Sequence, residues 1–172
     1  MLSLTVSTDI PHKVVRAVAV NLFDYLPGVR RANAIANFIL GFYVVPGIRH
    51  IVTNMESKQI LGAILRGGFF DASRLPDDLL TEFRRVGRRC GYSAVMRSLF
   101  AAMPSFVAAQ DLYGHVSVPT TLVYSDKDWA KQEERNCNHE AIKGSTRITL
   151  ENTGHFASLE RPETVAPIIL AG

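Results

Sequence analysis

Two ionisable side chains stand just past short apolar runs, where a turn can aim one at the other. Asp128 lies four residues beyond Tyr124, and His155 lies five beyond Leu150. A carboxylate that accepts an imidazole N–H fixes the ring's tautomer and steadies its cationic form. The other ring nitrogen can then draw a proton from a nucleophile or from water. The pair therefore offers the acid and base of a hydrolytic site, with the nucleophile still to be found. Spacing alone leaves a blander reading open, because an aspartate before a helix is a common N-cap and a single histidine a common surface residue.

The elements that must position this pair are legible from the apolar pattern. Val14 to Val20 (VVRAVAV) is a largely β-branched run after Pro11, which reads as a strand buried on both faces of a parallel sheet. From Pro27 to about Met103 apolar residues recur at helical spacing between breaks at Pro46-Gly47, Gly67-Gly68 and Pro76. Within that block Ser73 and Pro76-Asp77-Asp78 signal a helix start, with carboxylates where the macrodipole favours them. Val118 to Tyr124 reads as a second strand, with Pro119 tolerated at its entrance. Trp129 to about Ala141 reads as a helix closed by Lys143-Gly144, Arg147 to Leu150 as a third strand, and the residues after His155 as a last helix. This order predicts an α/β protein with a parallel sheet, whose strand ends converge on one edge.

The words around the two residues carry more information than their spacing. Val118-Pro119-Thr120-Thr121-Leu122-Val123-Tyr124-Ser125-Asp126-Lys127-Asp128-Trp129 resembles the α/β-hydrolase segment in which a Pro-led strand ends in a G-x-x-D turn bearing the catalytic acid. Asn152-Thr153-Gly154-His155-Phe156, followed by Leu159-Glu160-Arg161-Pro162-Glu163-Thr164-Val165, resembles the same family's Gly-His segment and final helix. The order acid, then histidine agrees with the family's chain order. Pro11 to Asn21 is similar to the segment where the strand after the nucleophile's helix begins. The resemblance implies a partial α/β-hydrolase fold: the last three parallel strands with flanking helices and a helical cap insertion. It divides the chain into a core of residues 1–26 and 104–172 and a cap of residues 27–103. It makes Asp128 and His155 the triad's acid and base, acting on a small-molecule substrate with an apolar portion, with an ester-like bond foremost and no cofactor. Ser125 replaces the glycine usual at the head of the acid turn, and Asp126 competes for the acid's role. The family pattern puts the acid at the fourth position, and Asp126 reads as a solvated turn residue.

A G-x-S-x-G elbow is absent from the sequence. It belongs before Val14, about where Met1 begins. Gly91-Tyr92-Ser93-Ala94-Val95 imitates half of it but follows a helix-like Arg-rich stretch, whereas an elbow joins a strand to a helix. Ser3 and Ser7 have no flanking glycines. Both oxyanion donors are expected to fail with the elbow, so the polypeptide alone is expected to be inactive. A non-catalytic binding or interaction protein of the same fold is the rival reading. With no nucleophile strand beside it, the run 14–20 is an exposed sheet edge that invites self-association or pairing.

Composition narrows the remaining classes. The chain has 172 residues, 47% hydrophobic and 20% charged, and a formal net charge of +3, which suits one globular domain and does not call for nucleic acid. Arg84, Arg85, Arg88 and Arg89 fit a solvated helix face. Cys90 and Cys137 stand far apart, and with His12, His50, His115 and His139 they share no metal-ligand spacing, so no metal is expected. The N-terminus is a poor signal peptide, and a cytoplasmic location is expected. Phe38 to Ile48 is too short to span a membrane and is broken by Pro46-Gly47. Phe38, Phe42, Tyr43, Phe69 and Phe70 suit either an apolar pocket or helix packing.

Overall fold

The computed structural model describes residues 14–22, 24–25 and 58–171. Three strands form a parallel sheet in the order β1 (Ala17–Val20), β2 (Thr120–Ser125), β3 (Thr146–Leu150). Val20 lies beside Val123, and Ser125 beside Leu150, so the carboxyl ends of the strands come together. The α/β class and the parallel sheet read from the sequence hold.

The central strand explains the layering. Leu122, Val123 and Tyr124 are wholly buried, and because successive side chains leave a strand on opposite faces, they feed two cores. Leu122 and Tyr124 pack with Ala19, Tyr113, Val116 and Ile142. Val123 packs with Leu150, Ala157 and Val165. Both faces of the sheet are thus covered, as a parallel sheet requires.

β1 is shorter than the apolar run 14–20 suggested. The Pro119 carbonyl accepts from the Ala17 N–H at 2.9 Å, but proline has no N–H to extend the ladder further back. Val15 is left 82% exposed. Arg16 instead ties this end to the chain's last turn through the carbonyls of Ile169 and Ala171.

Between β1 and β2 the described chain is helical: α1 (Lys58–Arg66), a 3-10 turn (Ala72–Arg74), α2 (Asp77–Gly87), α3 (Tyr92–Ala101), α4 (Met103–Ala108) and a 3-10 segment (Ala109–His115). Asp71 caps the first 3-10 turn by accepting the Ser73 N–H at 3.0 Å. α2 begins where Pro76 and two first-turn aspartates put it, and Arg84 and Arg85 occupy its last turn. Leu80 turns inward from α2 to a core of Phe69 and Leu75, with Leu61, Leu65 and Phe156 packed against it. The run Phe38 to Ile48, Ser3, Ser7, His12 and His50 lie outside the described residues. Among the described residues no helix is long and apolar enough to cross a membrane.

Two helices differ from their sequence expectation. α5 spans Gln132–Ala141 and starts three residues after Trp129. The Trp129 N–H is taken by the Asp128 carboxylate at 2.7 Å, while Glu134 reaches back to the Lys131 N–H at 2.7 Å and sets the helix start there. The final helix is two pieces, α6 (Ala157–Glu160) and α7 (Pro162–Leu170). Arg161, at φ −137° and ψ 54°, breaks them apart, because a residue before proline is pushed out of the helical region.

Candidate active site

Two turns leave the neighbouring strands β2 and β3 and are stitched to each other. The Asp126 N–H donates to the Leu150 carbonyl at 2.9 Å and the Lys127 N–H to the Thr153 carbonyl at 3.1 Å. In return the Asp126 carboxylate accepts the Thr153 N–H at 3.1 Å. Burial works to raise the Asp126 carboxyl, but backbone N–H bonds from Thr153 and Asn152 and the charge of Lys127 leave it lowered overall. Asp126, a partly exposed turn residue, is therefore also a strut between the turns. Its carboxylate is already occupied by backbone.

This stitching brings the other two ionisable residues together. His155 Nδ1 lies 2.6 Å from Asp128 Oδ1, with the aspartate side chain fully buried and that of His155 14% exposed. With Asp128 ionised, the hydrogen sits on Nδ1 and is donated to the carboxylate, which turns Nε2 into the ring's acceptor. Trp129 lies face to face with the imidazole, ring centroids 3.9 Å apart and planes 14° apart. Phe156 meets the same ring by its edge at 5.3 Å.

Asn21 fixes the histidine loop from the end of β1. Its Nδ2 donates to the His155 carbonyl at 2.8 Å, to the Gly154 carbonyl at 3.2 Å and to Ser125 Oγ at 3.0 Å. Its Oδ1 accepts the Ser125 N–H at 2.8 Å. The residue sits at φ +45°, a conformation asparagine tolerates better than most residues. Ser125, which stands where the family's glycine is usual, is wholly buried and bonded to Asn21 through both its backbone and its hydroxyl. The sequence showed Asn21 only as the residue ending a strand.

Glu160 does the same from the helical side. Its buried carboxylate accepts the N–H groups of Gly154 at 2.8 Å, Asp71 at 2.9 Å and Phe70 at 3.3 Å. Arg74 donates to the Glu160 carbonyl at 2.8 Å. One side chain thus ties the turn after α1 to the histidine loop. The approach is so close that a Cβ on Gly154 would lie 2.3 Å from the Gly68 carbonyl oxygen, which only glycine permits.

Other candidates stand apart from this pair. Ser93 is the second residue of α3, preceded by a turn and not by a strand. Arg85 is paired with Glu82 at 2.6 Å on the exposed face of α2. Cys90 and Cys137 are free and exposed. His139 meets Ser145 Oγ at 2.8 Å. Among the described residues no group of three His, Cys, Asp or Glu is placed to hold a metal ion. Phe69 packs in the core beside Phe156, whereas Phe70 is 48% exposed.

A second buried carboxylate escaped the sequence reading. Asp24 accepts from the Tyr113 hydroxyl at 2.6 Å and from Asn138 Nδ2 at 3.1 Å. Burial raises its carboxyl despite these bonds, and burial also holds the neighbouring Tyr124 up at about 12. Asn138 bonds the Tyr124 hydroxyl at 3.0 Å, which joins α5 to the sheet.

No protein-family model and no curated protein matches the sequence. Solved structures do match. The 2-hydroxy-6-oxo-6-phenylhexa-2,4-dienoate hydrolase of Rhodococcus sp. strain RHA1 is 16% identical, with a TM-score of 0.71 over 99% of this chain and 58% of that one. The meta-cleavage product hydrolase CumD of Pseudomonas fluorescens IP01 is 14% identical, with a TM-score of 0.70 over 99% of this chain and 58% of that one. The epoxide hydrolase CorEH is 14% identical, with a TM-score of 0.71 over 99% of this chain and 62% of that one. The chain therefore spans less than two thirds of the length of each. With three parallel strands, helices on both faces and these neighbours, the chain carries part of an α/β-hydrolase fold.

Proposed function

We propose that this chain supplies the acid and base of an α/β-hydrolase-type site acting on a small substrate with an apolar portion, an ester-like bond foremost. The observation that carries the reading is the 2.6 Å contact between His155 Nδ1 and Asp128 Oδ1 at the carboxyl ends of neighbouring parallel strands. Asp128 orients the ring and balances its charge. His155 Nε2 takes the proton of a serine-type nucleophile as its oxygen attacks the carbonyl carbon, then passes that proton to the departing alkoxide. Water repeats the sequence to release the acid. With a carboxylate nucleophile, the same nitrogen activates the water instead. No G-x-S-x-G is present in the 172 residues, so in this reading the polypeptide alone is catalytically silent.

The same reading assigns residues 1–26 and 104–172 to the hydrolase core and 27–103 to a cap, and places the protein in the cytoplasm, where the exposed thiols of Cys90 and Cys137 stay reduced. Parallel pairing turns Ala17 and Asn21 towards β2 and leaves the N–H and C=O groups of Val18 and Val20 facing outward, where no described strand meets them. This edge, beside exposed Val15, Ile169 and Leu170, takes up a nucleophile-bearing strand or a second copy. A non-catalytic binding protein is the alternative, favoured by the missing nucleophile motif.

Reading the DNA upstream of Met1 tests the proposal. An in-frame strand followed by G-x-S-x-G, giving a longer polypeptide whose esterase activity is lost in His155→Ala, supports it. An immediate in-frame stop supports the non-catalytic alternative.

A further inference from the structure

Trp129 is the single tryptophan of the chain, and its place is set from several sides. Its backbone N–H donates to the Asp128 carboxylate at 2.7 Å, and its indole Nε1 donates to the Gly67 carbonyl at 3.4 Å. Phe156 meets the indole edge-on at 5.7 Å and 78°. Gly68 leaves the room for both rings, since a Cβ there would lie 2.4 Å from Phe156 and 3.0 Å from Trp129. So held, the indole covers one face of the His155 imidazole at 3.9 Å and 14°.

An aromatic face carries negative quadrupole potential, so it attracts an imidazolium more strongly than a neutral imidazole. The contact gains strength here because the His155 side chain is only 14% exposed. Asp128, at Nδ1, and the two aromatics Trp129 and Phe156 lie against the ring. Three charged or polar side chains nearby bind backbone. Asp126 binds the Thr153 N–H, Glu160 the Gly154 N–H, and Asn21 the His155 carbonyl. Asp128 and Trp129 are two groups whose contact with the ring changes between its protonated and neutral forms.

We propose that Trp129 is a positioning residue for His155: its indole face holds the imidazole in the plane that meets Asp128, stabilises the protonated ring, and ties it to the Gly67 turn after α1. Its catalytic consequence rests on reading His155 as the base, since the imidazolium is the form that develops during nucleophile activation. The coupling itself exists whether or not the chain hydrolyses anything.

Because the chain has one tryptophan, its emission reports this contact directly. An excited indole loses emission by electron transfer to a stacked cation. The experiment follows tryptophan fluorescence of the purified 172-residue chain against pH, alongside NMR titration of the imidazole nitrogens. In the parent, emission falls with the same midpoint at which His155 gains its proton, and His155→Gln abolishes that step. Trp129→Leu lowers the ring's proton affinity about 2- to 30-fold, and Trp129→Phe restores part of it. A parent whose emission ignores His155 protonation, or a Leu variant with unchanged proton affinity, overturns the proposal. Should Trp129→Leu fail to fold, the fluorescence comparison of parent with His155→Gln decides. Loss of the hydrolase reading leaves these titrations unaltered, so the two failures are distinguishable.

Discussion

Replacing Asn21 by alanine removes the side chain that binds the acid turn to the histidine loop. Four partners lose a bond: the Ser125 N–H, Ser125 Oγ, and the carbonyls of Gly154 and His155. Asn21 is 6% exposed and Ser125 wholly buried, so water does not readily replace those bonds. At roughly 1 kcal/mol for each of the three backbone partners, the loss is about 3 kcal/mol. Alanine at φ +45° adds a backbone penalty of about 1 kcal/mol, for a total near 4 kcal/mol, a large share of an ordinary domain's stability. Asn21→Gly loses the same bonds without the steric penalty, so it is expected to be about 1 kcal/mol more stable than Asn21→Ala, less whatever entropy glycine forfeits. Urea unfolding of the parent and both variants, followed by circular dichroism, gives the three free energies. An Asn21→Ala variant within 1 kcal/mol of the parent would refute the reasoning.

Three further outcomes follow from the same geometry. Glu160→Gln gives up the charge in its bonds to three backbone N–H groups; it is expected to cost about 2 kcal/mol in urea unfolding and to raise hydrogen exchange at Asp71 and Gly154, and unchanged protection there would contradict it. Burial raises Asp24 in the folded state, so its contribution to stability is fully present below the unfolded carboxylate value and is lost as pH rises through the raised folded value. The stability of the parent relative to Asp24→Asn should therefore fall as pH is raised from about 4 towards neutrality, and a pH-independent difference in urea midpoints would contradict it. The outer edge of β1, which no described strand meets, predicts concentration-dependent association on size-exclusion chromatography, reduced by a charge at exposed Val15 (Val15→Lys); a monomer at all concentrations with a sharp thermal transition would contradict it.

The strands and the closeness of Asp128 to His155 were legible in the sequence because both are local signals. Leu122 to Tyr124 must be buried wherever the chain goes, and Asp128 and His155 follow their strands at a distance that only a turn can fill. What holds the pair in place was not legible, because it is tertiary. Nothing in the neighbourhood of Asn21 says that its amide spans to Gly154 and His155. Nothing near Glu160 says that it collects N–H groups from residues 70, 71 and 154. The start of α5 shifted because Glu134 reaches back to the Lys131 N–H and sets the first turn there. For Asp126 the turn was legible but its bond to the Thr153 N–H was not, because that partner comes from another loop.

Hydrolysis of a p-nitrophenyl ester by the purified 172-residue chain, parent against His155→Ala, tests most directly whether Asp128 and His155 are an acid and base awaiting a nucleophile. In the proposed reading these residues hold neither nucleophile nor oxyanion donors, so the parent is expected to release p-nitrophenol no faster than His155→Ala. Turnover by the parent that vanishes in His155→Ala would contradict this, and would mean that the nucleophile lies within these residues after all.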